Sequence, residues 1–220
     1  MPSSAQDAIL ATTERLLRHR RLSELSVGDI IAAAGISRTS FYAYFGSKIA
    51  VVAECLRRVT GQVAIAVEPF LTEWEAGPEA AIRASLERWV QVCTVHGALM
   101  RTVSEEWPHD EQLRAVWSEI LAGFAAGTAR VIRAARADGQ APPGADADAL
   151  AACLMWGYER VLHLSLVGEA RGLADPAQIV EPLAQMMVGG VFGRVPSPYL
   201  MSRPAPLTAA HVPPNWVAPT

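Results

Sequence analysis

The sequence predicts an all-α protein of nine helices, and three observations predict it. Apolar residues recur three and four apart along most of the chain. Serine, aspartate and glycine stand where helices have to begin and end. Period-two alternation and Asn-Gly turns, the marks of strands and hairpins, are missing. A hydrophobic content of 51% is ample for a packed core and excludes a chain disordered throughout.

The first helix is expected over residues 4–19, with Ile9, Leu10, Leu16 and Leu17 on one face. Residues 22–25 make a short connection. Ser26 opens the second helix, with Asp29 three residues on as the reciprocal half of a capping box. Val27, Ile30 and Ile31 face inward, and Gly35 ends the helix where a left-handed residue is needed. Ser37 caps a short third helix reaching about Phe45, and Gly46 breaks it. Ser47 caps a long fourth helix over 48–70. Gly77-Pro78 begins a fifth that runs to Thr94. A shorter sixth helix over 96–107 stops at Pro108, and a long seventh spans 110–137.

Residues 138–144, with Pro142-Pro143, form a loop. The eighth helix, 148–167, is apolar on nearly every face and is expected to be buried on nearly every face. Gly172 breaks it. Asp175 caps and Pro176 leads a last apolar helix over 179–192. Seven of the fifteen prolines follow Arg194, so the end of the chain is expected to be a non-helical tail in which Tyr199 and Trp216 can dock. The expected organisation is a reader at 1–48, a helical body at 49–193 and the tail at 194–220.

Composition narrows the class further. No run approaches the roughly 20 uninterrupted apolar residues that span a bilayer. The N-terminus is short and polar and leads into an amphipathic segment carrying Arg15 and Arg18, unlike a secretory signal. A cytoplasmic protein with no membrane partner is expected. Cys55, Cys93 and Cys153 are odd in number and far apart, which suits buried free thiols better than disulfides or zinc. The net charge of −3 averages two unlike halves. Residues 1–60 carry eight Lys and Arg against five Asp and Glu, a net of +3; the remainder carries eleven against seventeen, a net of −6. A basic module on an acidic body fits a chain that meets a polyanion at one end.

Chemistry concentrates between Ser26 and Lys48. Two short helices meet at Gly35, with Ala32 to Ala34 small enough to let them cross closely. Ile30, Ile36, Phe41 and Phe45 plug the angle between them. The second helix then exposes Arg38, Thr39, Ser40 and Tyr42, the geometry of a recognition helix entering a major groove. Arg38 can pair with guanine or hold a phosphate; Thr39 and Ser40 suit phosphate oxygens or a thymine methyl. Lys48 adds positive charge beside the start of the fourth helix. A capped helical hairpin is also common in plain cores, but packing does not require Arg38, Tyr42 and Lys48 to be exposed together.

The run Gly35-Ile36-Ser37 through Phe41-Tyr42-Ala43-Tyr44-Phe45, with Ser47-Lys48, resembles the DNA-binding signature of the TetR family of bacterial repressors. The resemblance is close over about the first 50 residues and looser beyond. Val116-Trp117, Gln140-Ala141-Pro142 and Tyr158-Glu159-Arg160 are most similar to the mycobacterial ethionamide-resistance type within it. It implies a homodimer built on the last two helices and an effector pocket enclosed by the fourth to eighth. It also implies DNA contacts by Thr39, Tyr42 and Lys48, with Arg38 and Ser40; Ser37 and Tyr44 of the same run complete the candidates.

Six tryptophans are many for this length. Trp89, Met100, Trp107, Trp117, Leu121, Phe124, Thr128, Met155, Tyr158 and Glu159 are the candidate pocket residues, with Tyr158, Glu159 and Thr128 as polar anchors. An aromatic stripe is equally the mark of plain core. Leu150, Leu154, Leu183, Met186 and Met187 would expose a large apolar patch unless paired, which points to a two-fold helical interface. Metal spacing, a Gly-rich phosphate loop and a nucleophile elbow are all missing, so neither catalysis nor a cofactor is expected. The partners expected are duplex DNA, a second copy and a small lipophilic effector. Two alternatives stay open: a regulator without an effector, and a helical ligand-binding protein whose N-terminal hairpin is vestigial.

Overall fold

The computed structural model describes residues 4–72, 77–168 and 172–193. The proline-rich stretch from Arg194, with Tyr199 and Trp216, lies outside them. Among the described residues there are nine α-helices and no strand: α1 (Ala5–Leu17), α2 (Val27–Ala34), α3 (Arg38–Tyr44), α4 (Lys48–Thr72), α5 (Pro78–Val95), α6 (Gly97–Glu106), α7 (Glu111–Ala137), α8 (Ala147–Val167) and α9 (Val180–Phe192). The expected connection after α1 is a 3-10 turn, Leu22–Glu24, and a second such turn, Pro176–Ile179, leads into α9.

The ends are set by local chemistry. Ser26 Oγ accepts the N–H of Asp29 at 3.1 Å while Asp29 Oδ2 accepts the N–H of Ser26 at 2.8 Å, so two otherwise unpaired amides are satisfied reciprocally. Arg20 stands 3.4 Å from the same carboxylate. The Ser26 hydrogen bonds, chiefly, and then Arg20 lower the Asp29 pKa to about 2. A depressed carboxylate stabilises the fold above its unfolded pKa, and that contribution is lost as pH falls through the folded value. Acid titration of the native protein should therefore loosen the start of α2 between about pH 4 and pH 2. Asp29→Asn should remove that part of the acid transition in circular dichroism.

Gly35 takes φ +65° and ends α2 as expected. Its added Cβ would meet nothing within 4 Å, so the cost of alanine there is backbone strain alone, about 1 kcal/mol. At α8 both ends are set by residues other than those expected. α8 begins at Ala147, one residue early, behind the cap Asp146, whose Oδ1 accepts the N–H of Ala149 at 2.9 Å. Gly168, at φ +69°, ends α8 before Gly172 is reached.

α1 to α3 pack as a three-helix unit whose core continues into the first turns of α4. Ile9, Ile30, Phe41, Val51, Val52 and Cys55 are all fully buried. Cys55 Sγ lies 3.8 Å from the carbonyl of Leu10, and Arg58 bonds Asp7 at 2.6 Å. The start of α4 is thus part of the reader, and the remainder runs on into the body without a break. A second tie is His96, at the junction of α5 and α6, whose Nδ1 is 2.7 Å from Glu14 on α1.

In the body, α5 packs on α4 and α9, and α7 on α8. Arg83 on α5 joins Glu181 on α9 at 2.9 Å. By length and mean hydropathy α7 could cross a membrane, but 44% of that stretch is buried inside the protein and Glu119 and Arg130 interrupt it. Within one protomer α8 is not buried all round: Cys153 and Trp156 are exposed, because only one face of α8 meets the bundle. Cys55 and Cys93 are buried free thiols as expected, with burial raising Cys93 to about 12, whereas Cys153 is not.

Candidate nucleic-acid interface and ligand cavity

α3 is held by its buried side and shows its other side to solvent. Phe41 is fully buried, its ring 5.4 Å from Tyr42 and 6.2 Å from Phe45. That anchoring turns Ser37, Arg38, Thr39, Tyr42 and Tyr44 outward, and all five are exposed; Ser40 is half-buried. Ser37 Oγ accepts the N–H of Ser40 at 3.0 Å, so Ser37 serves as the helix cap. The Arg38 guanidinium lies 6.0 Å from the Tyr42 ring centre, the outer edge of a cation–π contact, and remains available to an anion.

Lys48 stands at the start of α4 as expected, and its ammonium has partners there. Its ammonium donates to the carbonyls of Leu22 and Leu25, at 2.6 and 2.7 Å. Leu22 opens and Leu25 closes the turn between α1 and α2, so Lys48 fastens the start of α4 to that turn. The remaining N–H of the ammonium is its one further donor.

The body encloses a cavity of about 660 Å³ between α4, α5, α7 and α8. Trp89, Met100, Trp117, Leu121, Phe124, Thr128, Met155, Tyr158 and Glu159 line it. Trp107 does not: its ring packs 5.5 Å from that of Trp156, on the outer side of α8. α4 contributes a wall, as the resemblance implies, but its residues there, including Thr60, Gly61, Val63, Ala64 and Val67, were not among the candidates. Gly61 on α4 and Gly123 on α7 leave open space where a Cβ would stand, so the cavity gapes between those two helices. Arg57, Glu119 and Arg130, all exposed, also line it and stand on those same helices.

The three expected anchors differ in what they have left to offer. The Tyr158 hydroxyl donates to the Leu183 carbonyl of α9 at 2.9 Å, and burial raises its pKa, so its proton is committed. Glu159 accepts from Ser104 Oγ on α6 at 2.6 Å. Thr128 is buried in the wall. Ser85, Trp117 and His163 also line the cavity, and each has a buried polar atom without a hydrogen-bond partner among the described residues.

The expected dimer residues divide. Leu154, Leu183 and Met187 are buried inside their own protomer, because these faces of α8 and α9 turn toward the bundle. Phe192 is buried with them. Met186, at 48% exposed, and half-buried Leu150 remain at the surface, and Trp156 is exposed as well.

Comparison with known proteins bears on both regions. The profile of bacterial regulatory proteins of the tetR family matches residues 9–55. That of the EthR transcriptional regulator C-terminal domain matches residues 82–193. The HTH-type transcriptional regulator EthR of Mycolicibacterium smegmatis is 32% identical over 189 residues, covering 86% of this chain and 87% of its own. That of Mycobacterium tuberculosis strain H37Rv is 33% identical over 187 residues, 84% of this chain and 86% of its own. The chain belongs to the TetR family.

Solved structures agree with this TetR-family regulator in fold. FadR, the fatty acid degradation regulator of Bacillus halodurans, superposes with a TM-score of 0.72 at 16% identity, over 87% of this chain and 98% of its own. SmeT, the repressor of the Stenotrophomonas maltophilia multidrug efflux pump SmeDEF, does so at 0.68 with 23% identity, over 90% and 98%. The TetR-family profile reaches residue 55, past the expected boundary at 48, in keeping with the shared core of α1 and α4. The protein is a DNA-binding transcriptional regulator with an EthR-like C-terminal domain.

Proposed function

We propose that the regulator is a homodimeric repressor that leaves a palindromic operator when a small lipophilic molecule fills the cavity. The observation that carries this reading is the course of α4. It begins directly after α3, shares the reader's core, and then forms one wall of the cavity. A ligand that displaces that wall changes the position of α3. Two recognition helices must sit about 34–36 Å apart to enter successive major grooves, so a modest change in spacing weakens both contacts. A ~100-fold loss of operator affinity requires the ligand to favour the DNA-free state by only ~2.7 kcal/mol.

Ser37, Arg38, Thr39, Ser40, Tyr42 and Tyr44 are the side chains proposed to meet DNA, with Arg38 the strongest candidate for a base. The surface containing Leu150, Trp156 and Met186 is proposed as part of the two-fold interface. In this reading the chain acts by binding alone, in the bacterial cytoplasm where its operator lies.

Selection of bound duplexes from a random pool tests the DNA half; recovered sites should be palindromic, with half-sites one helical turn apart. Arg38→Ala should weaken the selected site by about 1–3 kcal/mol and relax specificity at one position of each half-site. A uniform loss on every duplex, with a shallower salt dependence, would instead make Arg38 a phosphate contact. The effector half fails if operator affinity is unchanged by lipophiles that demonstrably occupy the cavity.

A further inference from the structure

Gly61 and Gly123 stand in the middle of α4 and α7 for no reason of packing. Neither takes a positive φ, and a Cβ added at either would meet nothing within 4 Å. Alanine would fit at both and favour the helix, because glycine in a helix interior costs backbone entropy. What the two share is position: both line the cavity and both are exposed to solvent. The other exposed residues of the lining are Arg57 and Ala64 on α4 and Glu119 and Arg130 on α7. Those that α5, α6, α8 and α9 contribute are buried or half-buried. Arg57, Gly61 and Ala64 recur at helical spacing, as do Glu119, Gly123 and Arg130, so each set keeps to one face of its helix.

α4 and α7 pack against each other, so these two faces border one opening. Exposed charged side chains keep their heads in water, so the cavity meets solvent along this line. We propose that Gly61 and Gly123 are the doorway of the cavity: the effector enters and leaves sideways between α4 and α7, and the two missing side chains set how fast. This rests on the cavity being the effector site. A side chain at either position would stand in the slot and have to be pushed aside at each passage. That added barrier slows entry and exit alike and leaves the contacts of the bound state in place.

Stopped-flow fluorescence of the full chain with N-phenyl-1-naphthylamine, a neutral lipophile that brightens in apolar surroundings, provides the test. Gly61→Leu combined with Gly123→Leu should slow uptake and release each by about tenfold or more, with the dissociation constant within about threefold of native. Misfolding weakens binding, so slower release at unchanged affinity marks a narrowed passage. Gly61→Ala with Gly123→Ala should raise the melting temperature and slow passage less; this pair carries the test if the leucines prevent folding. Gly157→Ala is the control, at a helical glycine of α8 with equally open space that does not line the cavity. It should leave both rates native. Native rates in the leucine pair, or in the alanine pair where that one decides, overturn the doorway, as does equal slowing by Gly157→Ala. A native protein that takes up no probe overturns it too. The effector reading is decided separately, by whether a broad set of lipophiles that occupy the cavity leaves the operator complex intact.

Discussion

Phe41→Ala is expected to abolish operator binding and to destabilise the protein by about 3–5 kcal/mol, the cost of deleting a fully buried aromatic side chain. Phe41 is 0% exposed and belongs to the same buried core as Ile30. Its ring meets those of Tyr42 and Phe45, so it fixes both the angle of α3 and the outward set of Tyr42. Against a total stability of about 5–15 kcal/mol, a loss of this size is enough to leave the reader unfolded much of the time. Phe41→Leu refills most of the volume and should cost under about 1.5 kcal/mol if the neighbours can repack. Urea denaturation and a gel shift on the selected duplex measure the two quantities together. Should Phe41→Ala bind that duplex with native affinity, the orientation of α3 must be fixed by something other than this plug.

The parts of the fold that were legible are those decided within one turn of chain. Ser26 with Asp29, Gly35, Ser37, Asp110 and Asp175 each act on backbone groups two to four residues away, so residue type and spacing suffice. The facing of α8 and α9 was not legible. With apolar residues on nearly every side, periodicity cannot say which side turns inward, and Leu154, Leu183 and Met187 could not be told from Leu150 and Met186. The lining drawn from α7 and α8 is large and aromatic and shows as a pattern. The α4 side of the cavity includes Gly61 and Ala64, which open space precisely because they are small, and small residues leave no apolar stripe to read. Trp107 shares residue type and helical context with the lining residues; only its packing against Trp156 separates it from them.

Lys48 shows the same limit at a single charge, and it yields the second large effect. Its position beside α3 was visible in the sequence, but its target depends on the tertiary fold bringing the Leu22 and Leu25 carbonyls under α4. Lys48→Met keeps most of the apolar stem and removes both charge-assisted hydrogen bonds. Each is worth about 1.5–3 kcal/mol when the donor is charged, and the carbonyls regain part of that from water, so a net loss of about 2–4 kcal/mol is expected. The melting temperature should fall, and operator affinity should fall with it because the start of α4, which directly follows α3, loses its attachment to the α1–α2 turn. The dependence of binding on salt separates this role from a phosphate contact. A clamp leaves the slope of log affinity against log salt nearly unchanged in the fraction that folds. Loss of a phosphate contact lowers that slope by about one for each contact. A variant with native stability and a reduced slope would place the Lys48 ammonium on the DNA backbone in the complex and remove the clamp from the account.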